Sequence, residues 1–195
     1  MKTSEQISDH ELLADLKKGS ESGLDGLFRK YYVELCRVSV RIVTSESTAE
    51  DIVQEVFLSM WQKRKTLPVM DSVIAYLRRS VRNRSLNYLR DQKRIPSGDG
   101  EMPVMSSSAD VASAPLELEE LQQKVKKAID SLPERCRLVY VLSRFEDLSH
   151  KEIGEKMNIS PKTVENQMSR AYKFLRAILS VSLLLPLVNV VRLLG

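Results

Sequence analysis

The chain has 195 residues, with 30 Lys and Arg against 26 Asp and Glu and a net charge of +4, a mild tilt towards nucleic acid or other anionic partners. Cys36 and Cys136 stand far apart with no CxxC pair or Cys/His cluster, so a zinc site is not expected and the pair is compatible with a reducing cytoplasm. Only seven glycines occur and long amphipathic runs dominate, so an all-α chain is expected, long enough for one large or two small domains.

The opening MKTSEQISDH is polar and shows no signal-peptide pattern. Asp9 is placed to cap a short helix through Lys17, which Gly19 closes. From Glu21 to Val43 the apolar residues Leu24, Leu27, Phe28, Tyr31, Leu35, Val38 and Ile42 step at threes and fours. That spacing predicts a long core-facing helix, ended by Thr44-Ser45-Glu46. Ser47 and Glu50 have capping-box spacing and open a helix to about Lys65, before the break at Leu67-Pro68. Ile52, Val53, Val56, Phe57, Met60 and Trp61 give this helix a core face, while Glu50, Asp51, Gln54 and Glu55 gather elsewhere. Spacing alone favours a core helix with acidic residues near its positive end, over a docking face for a basic partner.

Asp71 or Ser72 starts the next helical segment, which is expected to run, with a kink near Asn83, to about Arg94. YLRRSVRNRSLNYLRDQKR holds Arg78, Arg79, Arg82, Arg84, Arg90, Lys93 and Arg94 against only Asp91. Charge of that density repels itself unless an anion offsets it, and nucleic-acid phosphate is the usual candidate. Tyr76 and Tyr88, interleaved with the arginines, offer surfaces for unstacked bases. The competing reading is a solvated helix face with the tyrosines buried.

Residues 95–115 hold three prolines, two glycines and a serine run without periodicity, and read as a flexible linker between domains. Periodicity returns at Leu116, giving a helix to about Ile129 and a second from Glu134 to Phe145, with Leu138, Val139, Leu142 and Phe145 inward. The stretch 148–176 then has the layout of a helix-turn-helix. Ser149 and Glu152 form a capping box, Ile153 and Met157 share a face, and Asn158 suits a left-handed helix end. Ser160-Pro161 restarts the chain as N-cap and first helical residue. Val164, Met168, Ala171 and Leu175 make a buried stripe, away from which fall Lys162, Thr163, Asn166, Arg170 and Lys173. The second helix of such a motif enters the major groove; the competing reading is a helical hairpin with a solvated basic face. The run AILSVSLLLPLVNVVRLL at 177–194 carries a single charge, Arg192. It is shorter than the ~20 apolar residues of a membrane span and is interrupted by Pro186 and Asn189. A helix packed on the preceding domain or on a partner is expected there.

No catalytic arrangement emerges. His10 and His150 are far apart, and the chain has no phosphate-cradling glycine loop, nucleophile elbow or metal-ligand spacing. An enzyme, a cofactor, a metal site and a small-molecule substrate are therefore not expected.

In this order, AEDIVQEVFLSMWQ at 49–62, AYLRRSVRNRSLNYLRDQKR at 75–94 and LPERCRLVYVLSRFEDLSHKEIGEKMNISPKTVENQMSRAYKFLR at 132–176 resemble the extracytoplasmic-function sigma factors. These are the small bacterial class of RNA polymerase sigma subunits. The resemblance implies a region-two-like domain at 1–94, the linker 95–115, a region-four-like helix-turn-helix domain at 116–178, and an apolar tail at 179–195. It implies that Asp51, Gln54, Glu55 and Trp61 dock on the β′ clamp of core polymerase, with the β flap as a further contact. Tyr76, Arg79, Arg82, Asn83, Arg84, Tyr88, Arg90 and Arg94 would hold and melt the minus-ten promoter element, a loop near Asn83 receiving a flipped base. Thr163, Asn166 and Arg170 would read the minus-thirty-five element while Lys162 and Lys173 hold phosphates. The partners so implied are core polymerase, promoter DNA and an anti-sigma protein, in many members a membrane one; the place is the cytoplasm. Two features depart from the family pattern: Gly154, expected to loosen its helix where Ala is common, and Asn87, where an acidic residue is frequent. A stand-alone helix-turn-helix regulator and a membrane-attached adaptor are the alternatives.

Overall fold

The computed structural model describes the backbone of residues 8–92 and 118–193, and their side chains except at 118, 119, 121 and 179–193. The expected linker and Arg94 lie outside the described residues. Every regular element among them is a helix, so the chain is all-α. It divides into two compact units, Met1–Arg94 and Ile95–Gly195.

The first unit holds α1 (Asp9–Lys18), α2 (Glu21–Val43), α3 (Glu46–Gln62) and α4 (Val73–Asp91). The long α2 is its centre: α1, α3 and α4 all pack on it, and α3 also packs on α4. The apolar stripes predicted along these helices supply the core, with Leu16, Leu27, Leu35, Met60, Leu77 and Leu89 fully enclosed. A polar contact crosses it: the Ser39 and Ser85 hydroxyls meet at 2.9 Å between α2 and α4 and satisfy each other. A Cβ on Gly23 would stand 2.5 Å from the Leu16 amide nitrogen and 2.6 Å from the Leu12 carbonyl oxygen. Only a residue without a side chain lets the α1 and α2 backbones come that near.

Several boundaries differ from expectation, each for a local reason. Ser8, in extended conformation, caps α1 in a reciprocal box with Glu11. Asp9 instead reaches α2, accepting from Lys30 Nζ at 2.6 Å and Tyr31 Oη at 2.5 Å. Burial pushes the Asp9 carboxyl up, but the bonds from Lys30 and Tyr31 and the Lys30 charge outweigh it, leaving the group below its ordinary value. Likewise Ser45, and not Ser47, caps α3: its hydroxyl accepts from the Thr48 amide at 3.3 Å, while Ser47 already lies in the first turn. The helix closes at Gln62 rather than Lys65. The α4 helix begins after Ser72 and continues through Asn83, so no loop lies beside that residue.

The second unit holds α5 (Leu118–Asp130), α6 (Glu134–Arg144), α7 (His150–Met157) and α8 (Pro161–Leu193). Here α8 is the centre, packed by α5, α6 and α7. Leu138, Leu142, Ile153, Val164 and Ala171 are fully enclosed, and Phe145 is half-buried. Arg137 is buried as well; burial pushes its guanidinium down, against the opposing charges of Glu134 and Asp130.

The turn between α7 and α8 follows its local chemistry closely. Ser149 and Glu152 form the capping box, Asn158 closes α7 at φ 53°, and Ser160 Oγ accepts from the Thr163 amide at 3.0 Å. A Cβ on Gly154 would lie 2.7 Å from the Ile159 carbonyl oxygen, which the turn folds over α7. Gly154 therefore tightens the motif, against the expectation that it loosens α7. Beyond Ile178 the helix does not stop: its backbone stays helical across Pro186 to Leu193. Among the described residues, no helix is long and apolar enough to cross a membrane.

Candidate nucleic-acid interface

Among the described residues, the site candidates singled out in the sequence fall on α3 and α4 of the first unit and on α8 of the second. In the first unit, α3 and α4 enclose an open groove of about 610 Å³. Asp51 and Glu55 line it from α3; Tyr76, Asn83, Arg84, Asn87, Tyr88 and Asp91 line it from α4. Two of the four docking candidates and four of the eight melting candidates thus line one cleft. Glu55 Oε2 accepts from Arg84 Nε at 2.6 Å, joining a docking candidate to a DNA candidate. Both side chains are about half exposed, and such a pair contributes roughly 0–1 kcal/mol. The floor is apolar, from Ile52, Val56 and Met60, and neither tyrosine is fully buried.

The α4 cations are distributed around the helix. Arg78 lies 3.8 Å from Glu34 of α2, while Arg79 and Arg90 are exposed. Arg82 is half-buried. The expected flipped-base loop at Asn83 is absent because that residue is mid-helix; its amide sits instead on the groove wall, one turn from Asn87.

The remaining docking candidates face the other side of α3. Gln54 bonds the Tyr32 hydroxyl of α2, whose own acidity burial, Cys36 and Glu50 lower. Trp61 is half-buried beneath the Arg64 guanidinium, 4.4 Å above its ring, and Arg64 also donates to the Trp61 carbonyl at 2.9 Å. Leu58, unremarked in the sequence pattern, is 55% exposed on the same helix. An exposed leucine beside Trp61 enlarges the apolar part of this face, and its signal was its place outside the buried stripe.

On the second unit, Lys162, Asn166 and Lys173 are exposed on α8, with Thr163 and Arg170 half-buried beside them. Val164, Met168, Ala171 and Leu175 are buried on the other side, so the helix offers a polar face fixed by an apolar one. Thr163 Oγ1 contacts Ser160 Oγ at 2.9 Å. Lys162 Nζ donates to Glu165 Oε2 at 2.8 Å, and that bond holds the Glu165 carboxyl below its usual range. Thr163, Asn166 and Arg170 thus share one side of the helix, with Lys162 tied to Glu165 beside them.

The comparisons with known proteins divide along the same line as the fold. Residues 27–95 match the family model for sigma-70 region 2, and residues 122–175 match that for sigma-70 region 4. An ECF RNA polymerase sigma-E factor of Escherichia coli K12 is 28% identical over 177 residues, covering 86% of this chain and 92% of the relative. The Haemophilus influenzae protein of the same name is 25% identical over 176 residues, covering 86% and 93%. Among solved structures, the sigma factor RpoE in complex with the anti-sigma factor NepR from Bartonella quintana is similar at a TM-score of 0.49 and 20% identity, covering 80% of this chain and 96% of that one. With both regions matched in order and the likeness to the sigma-E factors spanning most of its length, the chain belongs to the sigma-70 family, in its extracytoplasmic-function class.

Proposed function

We propose that the chain is a sigma subunit that binds core RNA polymerase and directs promoter-specific initiation through contacts divided between its two units. The observation that supports this most is the α3–α4 groove, an acidic docking helix set against an Arg/Tyr helix, in a chain that also carries an exposed polar α8 face. A stand-alone regulator needs only the latter. In this reading Asp51, Gln54, Glu55 and Trp61 dock on the β′ clamp, and the second unit meets the β flap. Tyr76, Arg79, Arg82, Asn83, Arg84, Tyr88, Arg90 and Arg94 hold the opened minus-ten element. An extruded base costs a few kcal/mol; stacking on a tyrosine, worth roughly 1–3 kcal/mol, offsets much of that. Lys162, Thr163, Asn166, Arg170 and Lys173 engage the minus-thirty-five element. The subunit performs no catalysis of its own and works in the cytoplasm, where an anti-sigma protein acts by covering one of these faces.

Run-off transcription with purified core polymerase tests the reading: starts that require both core and this chain are expected, and their absence at every genomic promoter rejects it. Within that assay, Arg170→Ala is expected to weaken promoter recognition by about 1–3 kcal/mol, as for loss of one base contact. A uniform loss across unrelated sequences would assign Arg170 to phosphate instead. The double change Asp51→Lys, Glu55→Lys reverses the charge of the docking helix at two exposed positions. It is expected to cut core affinity at least about tenfold, because like charges meet across the interface, while the helical circular dichroism stays unchanged. Retained core affinity would return this helix to a purely structural role.

A further inference from the structure

Among the described side chains of α8, the buried Gln167 amide stands on an inner face whose neighbours Val164, Met168, Ala171 and Leu175 are apolar. Gln167 is 2% exposed and lies between Asn166 and Met168, within one turn of Thr163 and Arg170. Its Oε1 accepts a hydrogen bond from Cys136 Sγ of α6 at 2.7 Å, buried between the two helices.

We propose that Gln167 is a positioning residue for promoter reading, fixing the rotation of α8 about its own axis through the bond from Cys136. The proposal rests on the reading that α8 contacts the minus-thirty-five element. Apolar packing by Val164, Met168, Ala171 and Leu175 holds α8 against the domain but has little directionality, so small rotations change it little. A hydrogen bond is directional and weakens steeply when its geometry is lost. On a helix of ~5–6 Å outer radius, a rotation of about 10° moves a side-chain tip by about 1 Å. That is enough to spoil a hydrogen bond from Asn166 or Arg170 to a base edge. A thiol is a weak donor, so the bond from Cys136 by itself gives fold stability little call for glutamine over an apolar residue of similar volume. The plainer alternative is a core glutamine that is satisfied where it lies and has no bearing on reading.

The experiment uses the full chain assembled with core polymerase, a promoter found in the run-off screen, and a set of single-base-pair variants of its minus-thirty-five element. Gln167→Met is expected to keep the melting midpoint and core affinity, and to lower cognate-over-variant discrimination by roughly fivefold, part of what one base contact supplies. Cys136→Ala removes the donor from the opposite helix and is expected to lower discrimination in the same direction. Cys136→Ser keeps a donor at that position and is expected to restore it. Loss of discrimination in Arg170→Ala together with full discrimination in Gln167→Met overturns the proposal. Full discrimination in Arg170→Ala as well overturns both the proposal and the α8 reading beneath it. Where Gln167→Met does not fold, Cys136→Ala decides, and unchanged discrimination there overturns the proposal.

Discussion

Leu138→Ala is expected to destabilise the helix-turn-helix unit by about 2–5 kcal/mol. Leu138 is fully enclosed in the middle of α6, the helix that packs on both α7 and α8. Truncation to alanine removes buried methyl groups and leaves a cavity in a close-packed interior that relaxes only in part. Small domains are stable by roughly 0.05–0.15 kcal/mol per residue, and a loss of this size consumes much of that margin. The measurable result is a melting midpoint lowered by at least about 8 °C, with minus-thirty-five recognition lost in step. Leu138→Met, which conserves volume, should cost less than about 1.5 kcal/mol. Equal effects of the two changes would show that Leu138 is not the packed centre of this unit.

The second large effect is expected at the crossing of α1 and α2. The atoms that a side chain on Gly23 meets are backbone atoms of Leu12, Asp15 and Leu16, which cannot rotate away as a flexible side chain can. Gly23→Val therefore forces α1 off α2 and uncovers Leu12, Leu13 and Leu16. Valine improves helix propensity by only a few tenths of a kcal/mol over glycine, whereas overpacking of this kind costs about 3 kcal/mol or more. The change should lower the urea midpoint and make the α1 amides exchange rapidly with solvent. Protection of α1 equal to that of the parent chain would refute the close approach.

What could be read from the sequence, and what could not, divides by the range of the forces involved. The turn at 148–161 was legible in detail because a capping box, a left-handed Asn and a Ser-Pro start act over three or four residues. The core stripes were legible because helical periodicity repeats. Ser45 against Ser47, and Ser8 against Asp9, are not separable from sequence, because two capping residues stand one or two positions apart and only backbone conformation separates them. The role of Gly154 is hidden in the sequence because its obstacle, the Ile159 carbonyl, arrives only when the turn folds back. The Glu55–Arg84 pair and the Cys136–Gln167 bond join residues 29 and 31 positions apart on different helices, beyond the reach of any local pattern. At Asn83 the local sequence is the better guide than the family resemblance: its own residues form an uninterrupted helix where the resemblance implies a loop.

The Glu55–Arg84 pair also has a thermodynamic consequence for the proposed assignments. Polymerase that takes Glu55 leaves Arg84 without that carboxylate, and so more open to DNA; promoter DNA that takes Arg84 leaves Glu55 more open to polymerase. The two bindings are then linked, and linkage is reciprocal: whatever factor polymerase adds to DNA affinity, DNA must add to polymerase affinity. An exposed pair sets a low ceiling on that factor, about fivefold. On the proposed assignments the two ligands help each other slightly, whichever arrives first.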